Sequence, residues 1–245
     1  MKDRIFGLRP VLEAIEAGKT IDKLMIQKGL QGELYHELLE KATEYGIPMQ
    51  QVPLQKLNRL TGKNHQGVFA FISPIDFHKL EDVLPSIYEA GKNPLILILD
   101  RISDVRNFGA IARTAECTGV DVIIIPEKGS ASVNEDAIKT SAGALYQIPV
   151  CKVKSLKETI KFLQLSGISI TCASEKTSDT IYDMDFSLPT AIVMGSEDDG
   201  VSNELIRISD NLAKLPMYGE IGSLNVSVAC GAFLYEVIRQ RLKSD

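Results

Sequence analysis

An α/β protein built in two parts is the fold class the sequence predicts, and three observations carry it. Segments with the two-residue rhythm of strands alternate with segments of helical spacing along nearly the whole chain. Leu95-Ile-Leu-Ile-Leu is a continuous apolar run, as suits a strand buried on both faces of a parallel sheet. Between Ser73 and Asn93 the alternation gives way to a stretch with Pro74 and Pro85. Residues 1–73 therefore read as one small α/β unit, 74–93 as a linker, and 94–245 as a larger doubly wound domain.

In the first unit, Pro10 to Ala17 has helical spacing at Val11, Leu12 and Ile15, with proline at its start and Gly18 behind it. Lys23 to Gln27 reads as a strand, Glu33 to Tyr45 as an amphipathic helix stopped by Gly46, and Ile47 to Val52 as a second strand. A short helix over Leu54 to Leu60 and a strand over Val68 to Ile72 complete the unit. Between them lies Thr61-Gly-Lys-Asn-His-Gln-Gly, rich in hydrogen-bonding side chains, and recognition commonly sits on such loops. The linker itself carries a helical pattern through Leu84, Ile87 and Tyr88.

After the strand at Leu95 the spacing predicts a helix over Ala110 to Cys117 and a strand over Val122 to Ile125. A helix over Glu135 to Lys139, a strand near Ile148 to Val153, a helix over Leu156 to Leu165 and a strand over Ile168 to Cys172 follow. The strand Ala191 to Met194 and the helix Asn203 to Ile208 lead to an apolar strand with Leu212, Ala213 and Leu215. A glycine-containing loop then opens a long helix, for which Ser223 suits the N-cap.

The totals narrow the class. Apolar residues make up 44% and charged residues 24%, ordinary for a soluble globular protein, and no run approaches the ~18 apolar residues of a membrane span. The first residues lack the apolar core of a signal peptide, so a cytoplasmic protein is expected. The four cysteines and three histidines are scattered without ligand spacing, which argues against a metal site or disulfide framework and for reduced, buried thiols. Net charge is −5, unequally shared: residues 1–73 carry +2 and the remainder −7. No acid occurs between Glu44 and Asp76, where Lys56, Arg59, Lys63 and His65 fall. Such a face either binds phosphates or is a solvated surface.

Chemistry concentrates at three strand ends, where ligand sites of open α/β sheets gather. The first runs Asp100-Arg-Ile-Ser-Asp-Val-Arg-Asn-Phe-Gly-Ala-Ile-Ala-Arg; Asn107 and Gly109 read as a turn, and Arg113 as a charge in an apolar helix. That charge calls for either an ion-pair partner or a phosphate or ribose to hold. The second is Gly195-Ser-Glu-Asp-Asp-Gly, with a glycine that permits close backbone approach and the carboxylate of Glu197. The third is Leu215-Pro-Met-Tyr-Gly-Glu-Ile-Gly-Ser-Leu-Asn-Val-Ser-Val-Ala, followed by the small residues Gly231 and Ala232.

In this order and spacing the three stretches resemble the signature motifs of the SpoU (TrmH-like) family of RNA ribose 2′-O-methyltransferases, in the SPOUT superfamily. Asn107, Gly109 and Arg113, then Gly195, Glu197 and Gly200, then Pro216, Met217, Ser223, Leu224, Asn225, Ser227 and Ala229 carry the resemblance. Ile5-Phe-Gly-Leu-Arg-Pro-Val and His65-Gln-Gly-Val are similar to the L30e-like substrate-binding domain of the 23S rRNA guanosine 2′-O-methyltransferases. The resemblance implies a catalytic domain with a deep trefoil knot, S-adenosylmethionine as methyl donor, RNA as substrate, and a homodimer with the C-terminal helix at its interface. Gly195, Leu215, Met217 and Leu224 would bind the cofactor; Asn107, Arg113, Glu197, Ser223 and Asn225 would form the catalytic group; Lys56, Arg59, Lys63 and His65 would meet the RNA. A guanosine of 23S rRNA is the implied target. The same chemistry on tRNA or another rRNA site, or a non-catalytic RNA-binding role, are the alternatives.

Overall fold

The computed structural model describes residues 4–242. It divides into two compact units, one reaching Asp76 with Val133–Glu135, the other made of Phe77–Ser132 and the chain from Asp136 onward.

The first unit is a four-stranded mixed sheet in the order β1-β4-β2-β3, formed by β1 (Arg4–Phe6), β2 (Ile21–Gln27), β3 (Met49–Val52) and β4 (Val68–Ile72). Alternate residues face opposite ways. Leu24, Ile26, Val68 and Ala70 pack with α1 (Leu8–Glu16) and α2 (Glu33–Glu44), while Met25 and Phe69 pack with Leu57 of α3 (Leu54–Leu60). The short β1 has no counterpart among the sequence expectations, because three residues are too few to show a rhythm. The first helix starts at Leu8, two residues before Pro10.

The second unit is a six-stranded, all-parallel sheet in the order β10-β8-β9-β5-β6-β7. Its strands are β5 (Leu95–Leu99), β6 (Val122–Pro126), β7 (Val150–Val153), β8 (Ser169–Ala173), β9 (Thr190–Met194) and β10 (Asn211–Ala213). All five residues of β5 are buried, the mark of a strand covered on both faces. On one face Ile96 and Ile98 pack with α4 (Leu80–Glu89), α7 (Leu156–Leu165) and α8 (Asn203–Ile208). On the other lie α5 (Val105–Cys117) and α9 (Val226–Arg241), which contact one another, and α6 (Glu135–Thr140). Chain order runs outward from β5 through β6 to β7, then crosses to β8 and returns to β9. The strand order therefore reverses between β5 and β9, a switch point beside which ligands of such sheets commonly bind.

The helical pattern read in the expected linker is a ten-residue helix, α4, whose Leu80, Leu84 and Ile87 belong to the core of the second unit. Two further expectations need correction. The strand expected to include Leu215 ends at Ala213; Lys214 forms an isolated bridge opposite Thr180, through backbone bonds to Asp179 and Ile181. Cys151, Cys172 and Cys230 are buried, but Cys117 is exposed at the end of α5. Burial pushes the thiols of Cys151 and Cys230 up to about 12 and that of Cys172 to about 11. Among the described residues no helix is long and apolar enough to cross a membrane, and no group of three metal-ligating side chains comes together.

Candidate active site

The site grows from the ends of β5, β9 and β10. After β5 the chain turns through Asp104, whose carboxylate accepts from the backbone N–H groups of Arg106 and Asn107, both at 2.8 Å. Asp104 is thus the N-cap of α5, a stronger start signal than the expected turn. Asn107 and Gly109 stand inside the helix, not in a turn. Gly109 serves packing: a Cβ there would lie 2.7 Å from Thr140 Cβ and 3.0 Å from the Ala137 carbonyl oxygen, so only glycine lets α5 approach α6 this closely.

After β9, Gly195 has even less room. A Cβ would fall 2.0 Å from Gly200 C and from Val201 N, so the two ends of the 195–200 loop are pressed backbone to backbone. The close approach that the sequence anticipates for this glycine is to its own chain. Glu197 rides on the loop and is exposed.

The third stretch supplies Asn225, which caps α9 by accepting from Ser227 N at 2.9 Å and Ser227 Oγ at 2.5 Å. Ser223, the expected cap, lies two residues earlier in an exposed loop. The asparagine wins because its carbonyl reaches the Ser227 amide, which also fixes which way its side chain faces. With Oδ1 committed to the cap, Nδ2 is left to donate to Glu197 Oε1 at 3.0 Å and Asn107 Oδ1 at 3.1 Å. Asn107 Nδ2 donates to the same Glu197 oxygen. Asn107 is in the first turn of α5 and Asn225 begins α9, so the carboxylate sits where two helix N-termini favour negative charge.

Beside this cluster lies a cleft of about 390 Å³ at the carboxyl ends of β8, β9 and β10. Gly195, Leu215, Met217 and Leu224 all line it, as do Glu197 and Ser223. Leu224 and Met217 are half exposed, offering apolar surface at the mouth, while Ala213, Ala229 and Phe233 form the floor. A volume in this range suits a small organic ligand.

Arg113 projects from α5 six residues beyond Asn107, exposed, with no hydrogen bond or ion pair among the described residues. Among the described residues the ion-pair alternative therefore fails, which leaves the guanidinium open to a ligand. Arg101 is a residue that the motif reading passed over. It has φ +61°, a left-handed conformation that costs an arginine about 1 kcal/mol. Its side chain contacts Asp100, Asp199 and Gly200 O. Hydrogen bonding to Asp100, with Asp199 adding to it, raises the guanidinium pKa above its ordinary value. The only signal in the sequence was an acid and a base directly after a buried strand.

The residues expected to meet RNA lie in the first unit. Lys56, Arg59 and Lys63 are exposed, but His65 is buried. Its Nδ1 accepts from Gly67 N at 3.0 Å and its Nε2 lies 2.8 Å from Asn58 Oδ1, so both ring nitrogens are occupied. His65 shapes the loop and leaves Lys63, Asn64 and Gln66 to face outward.

Comparison with known proteins agrees with the two units. Residues 94–235 match the model of the SpoU rRNA methylase family, and residues 4–78 match that of the RNA 2′-O ribose methyltransferase substrate-binding domain. A protein of Staphylococcus haemolyticus named for the TrmH family of tRNA/rRNA methyltransferases is 37% identical over 237 residues, spanning 97% of this chain and 95% of its own. The SpoU methyltransferase AviRb of Streptomyces viridochromogenes, crystallised with AdoMet, shares the fold with a TM-score of 0.63 at 24% identity, over 98% of this chain and 90% of that one. The A. aeolicus TrmH/SpoU tRNA modifying enzyme superposes with a TM-score of 0.57 at 32% identity, over 67% of this chain and 85% of its own. With its second and third strand-end motifs lining one cleft and the first bonded to them through Asn107, this chain belongs to the SpoU/TrmH family of RNA methyltransferases.

Proposed function

We propose that this protein transfers a methyl group from S-adenosylmethionine to a ribose 2′-hydroxyl of RNA, with a guanosine of 23S rRNA as its target. One observation carries the reading: Asn107, Glu197 and Asn225, from three separate strand ends, share one carboxylate oxygen at the edge of a cleft. Residues 94–245 would perform the chemistry and residues 1–73 would choose the RNA, with 74–93 joining them.

The cleft fits the cofactor in kind. It combines polar backbone at Gly195 and Leu215 with apolar surface from Met217 and Leu224, as an adenine-bearing ligand with a charged tail requires. When bound, S-adenosylmethionine supplies an electrophilic methyl on a sulfonium centre. The protein's share is to orient the ribose and help its hydroxyl lose a proton. Arg113, which has no partner among the described residues, would hold the ribose oxygen and stabilise developing negative charge. A guanidinium stays protonated, so it orients rather than deprotonates, and the proton leaves through an RNA phosphate or water. The Asn107–Glu197–Asn225 cluster holds the two helix starts at a fixed spacing around the Glu197 carboxylate oxygen, and Ser223 lines the cleft.

The protein acts as a homodimer in this reading. Val228 and Tyr235 are exposed on α9 at seven-residue spacing beside the half-buried Gly231 and Ala232, an apolar seam that a second copy would cover. A solution mass of one chain at micromolar concentration would reject the dimer. The C-terminal segment is proposed to be knotted, on family membership and on the return of the chain from edge strand β10 past the cleft to α9.

Mass-spectrometric mapping of 2′-O-methyl groups in RNA from cells with and without the protein tests the function. Loss of one guanosine mark in 23S rRNA is expected. Loss of a tRNA mark instead would keep the chemistry and move the target, and an unchanged map would reject both.

A further inference from the structure

We propose that Asp100 and Arg101 are the positioning clamp of the 195–202 loop, the pair that keeps the cofactor cleft formed and delivers Glu197 to its two asparagines. The inference rests on the methyltransferase reading above and adds residues outside the cleft to it.

Asp100 directly follows β5 and is buried. Its N–H donates to Met194 O at 2.8 Å, which extends the β5–β9 pairing by one step to the start of the loop. Its carboxylate then takes the far end of the same loop, accepting from Ser202 N at 2.7 Å. Arg101 donates to that carboxylate from Nε at 3.2 Å and turns back across the loop, as its left-handed backbone requires. There Nη1 donates to Asp199 Oδ2 at 3.2 Å and Nη2 to Gly200 O at 3.0 Å.

Three points of the far end, Asp199, Gly200 and Ser202, are thus tied to one pair of residues. The near end has no freedom of its own, because Gly195 is pressed against Gly200 and Val201. If the far end lifts, the contact under Gly195 opens with it, and Glu197 between them leaves Asn107 and Asn225. Neither Asp100 nor Arg101 lines the cleft or bonds to the asparagines, so both act through the loop. Only a planar, forked cation reaches Asp100, Asp199 and a carbonyl together; a lysine makes a single point contact.

The test uses the full chain and the variants Arg101→Gln, Arg101→Lys and Asp199→Asn. Calorimetry gives the S-adenosylmethionine Kd, hydrogen exchange without cofactor gives the protection of amides 196–202, and kinetics give KM for each substrate. Arg101→Gln and Arg101→Lys should each weaken cofactor binding about tenfold. Loop amides should exchange about tenfold faster. KM for RNA should stay within about twofold, which general loss of structure would not allow. Asp199→Asn, a surface change that threatens folding least, should raise the Kd about threefold. Unchanged loop exchange in both Arg101 variants would overturn the clamp. A wild-type chain that fails to bind S-adenosylmethionine would instead overturn the methyltransferase reading, since the exchange measurement needs no cofactor.

Discussion

The two units hold their candidate residues in opposite ways. In the second unit Asn107, Glu197 and Asn225 are bonded to one another, and each is also fixed by the element that carries it. In the first unit Lys56, Arg59 and Lys63 stand exposed on a helix and a loop, and the histidine among them is buried in the framework. A group that must place one atom over another needs rigid support, and that support shows as hydrogen bonds within the chain. A group that must attract a phosphate needs only charge and reach, and shows almost nothing until its ligand arrives.

Arg113→Ala should break the comparison most sharply, since Arg113 belongs to the organised unit yet has no partner among the described residues. Turnover should fall about 1000-fold while cofactor Kd stays within about twofold, read by methyl transfer and calorimetry. Undiminished methylation would remove Arg113 from the mechanism. Asn225→Ser keeps an N-cap, but its shorter side chain has no carboxamide N–H to reach Glu197 while it caps the helix, so turnover should drop about 30-fold with stability changed by less than about 0.5 kcal/mol in a denaturant titration. An equal loss in both would mean that Asn225 matters only as a cap. In the first unit, Lys56→Glu with Lys63→Glu should weaken RNA binding and lower the salt slope by about 2. An unaltered slope would place the phosphates elsewhere. The smallest effect concerns the thiols. Burial keeps Cys151, Cys172 and Cys230 protonated through neutral pH, and their reactivity should rise only as pH approaches about 11. At pH 8 a thiol reagent should therefore modify Cys117 quickly and the other three slowly; fast labelling of more than one would contradict the packing.

Much of this was legible beforehand where a residue's neighbours in sequence decide its state. The helices Leu54–Leu60, Leu156–Leu165 and Asn203–Ile208 and the strand Val68–Ile72 have the bounds that their spacing indicates. Signals failed where tertiary contacts decide. Asn107 and Gly109 look like turn residues until α6 is seen against Gly109, and Ser223 looks like a cap until Asn225 is found two positions closer to the helix. His65 looks like a ligand because a polar side chain in a polar loop gives no sign that both ring nitrogens are already used. Arg101 carried no motif at all; its place follows from a backbone angle that no pattern of residues displays.

The double duty of Asn225 has a consequence for how the protein loses function on warming. One carboxamide both begins a sixteen-residue helix and orients a carboxylate, so fraying of that helix end and disassembly of the Asn107–Glu197–Asn225 cluster are a single event. Inactivation should then track this local opening and precede global melting, which lets fluorescence or exchange at the helix start serve as a gauge of competence.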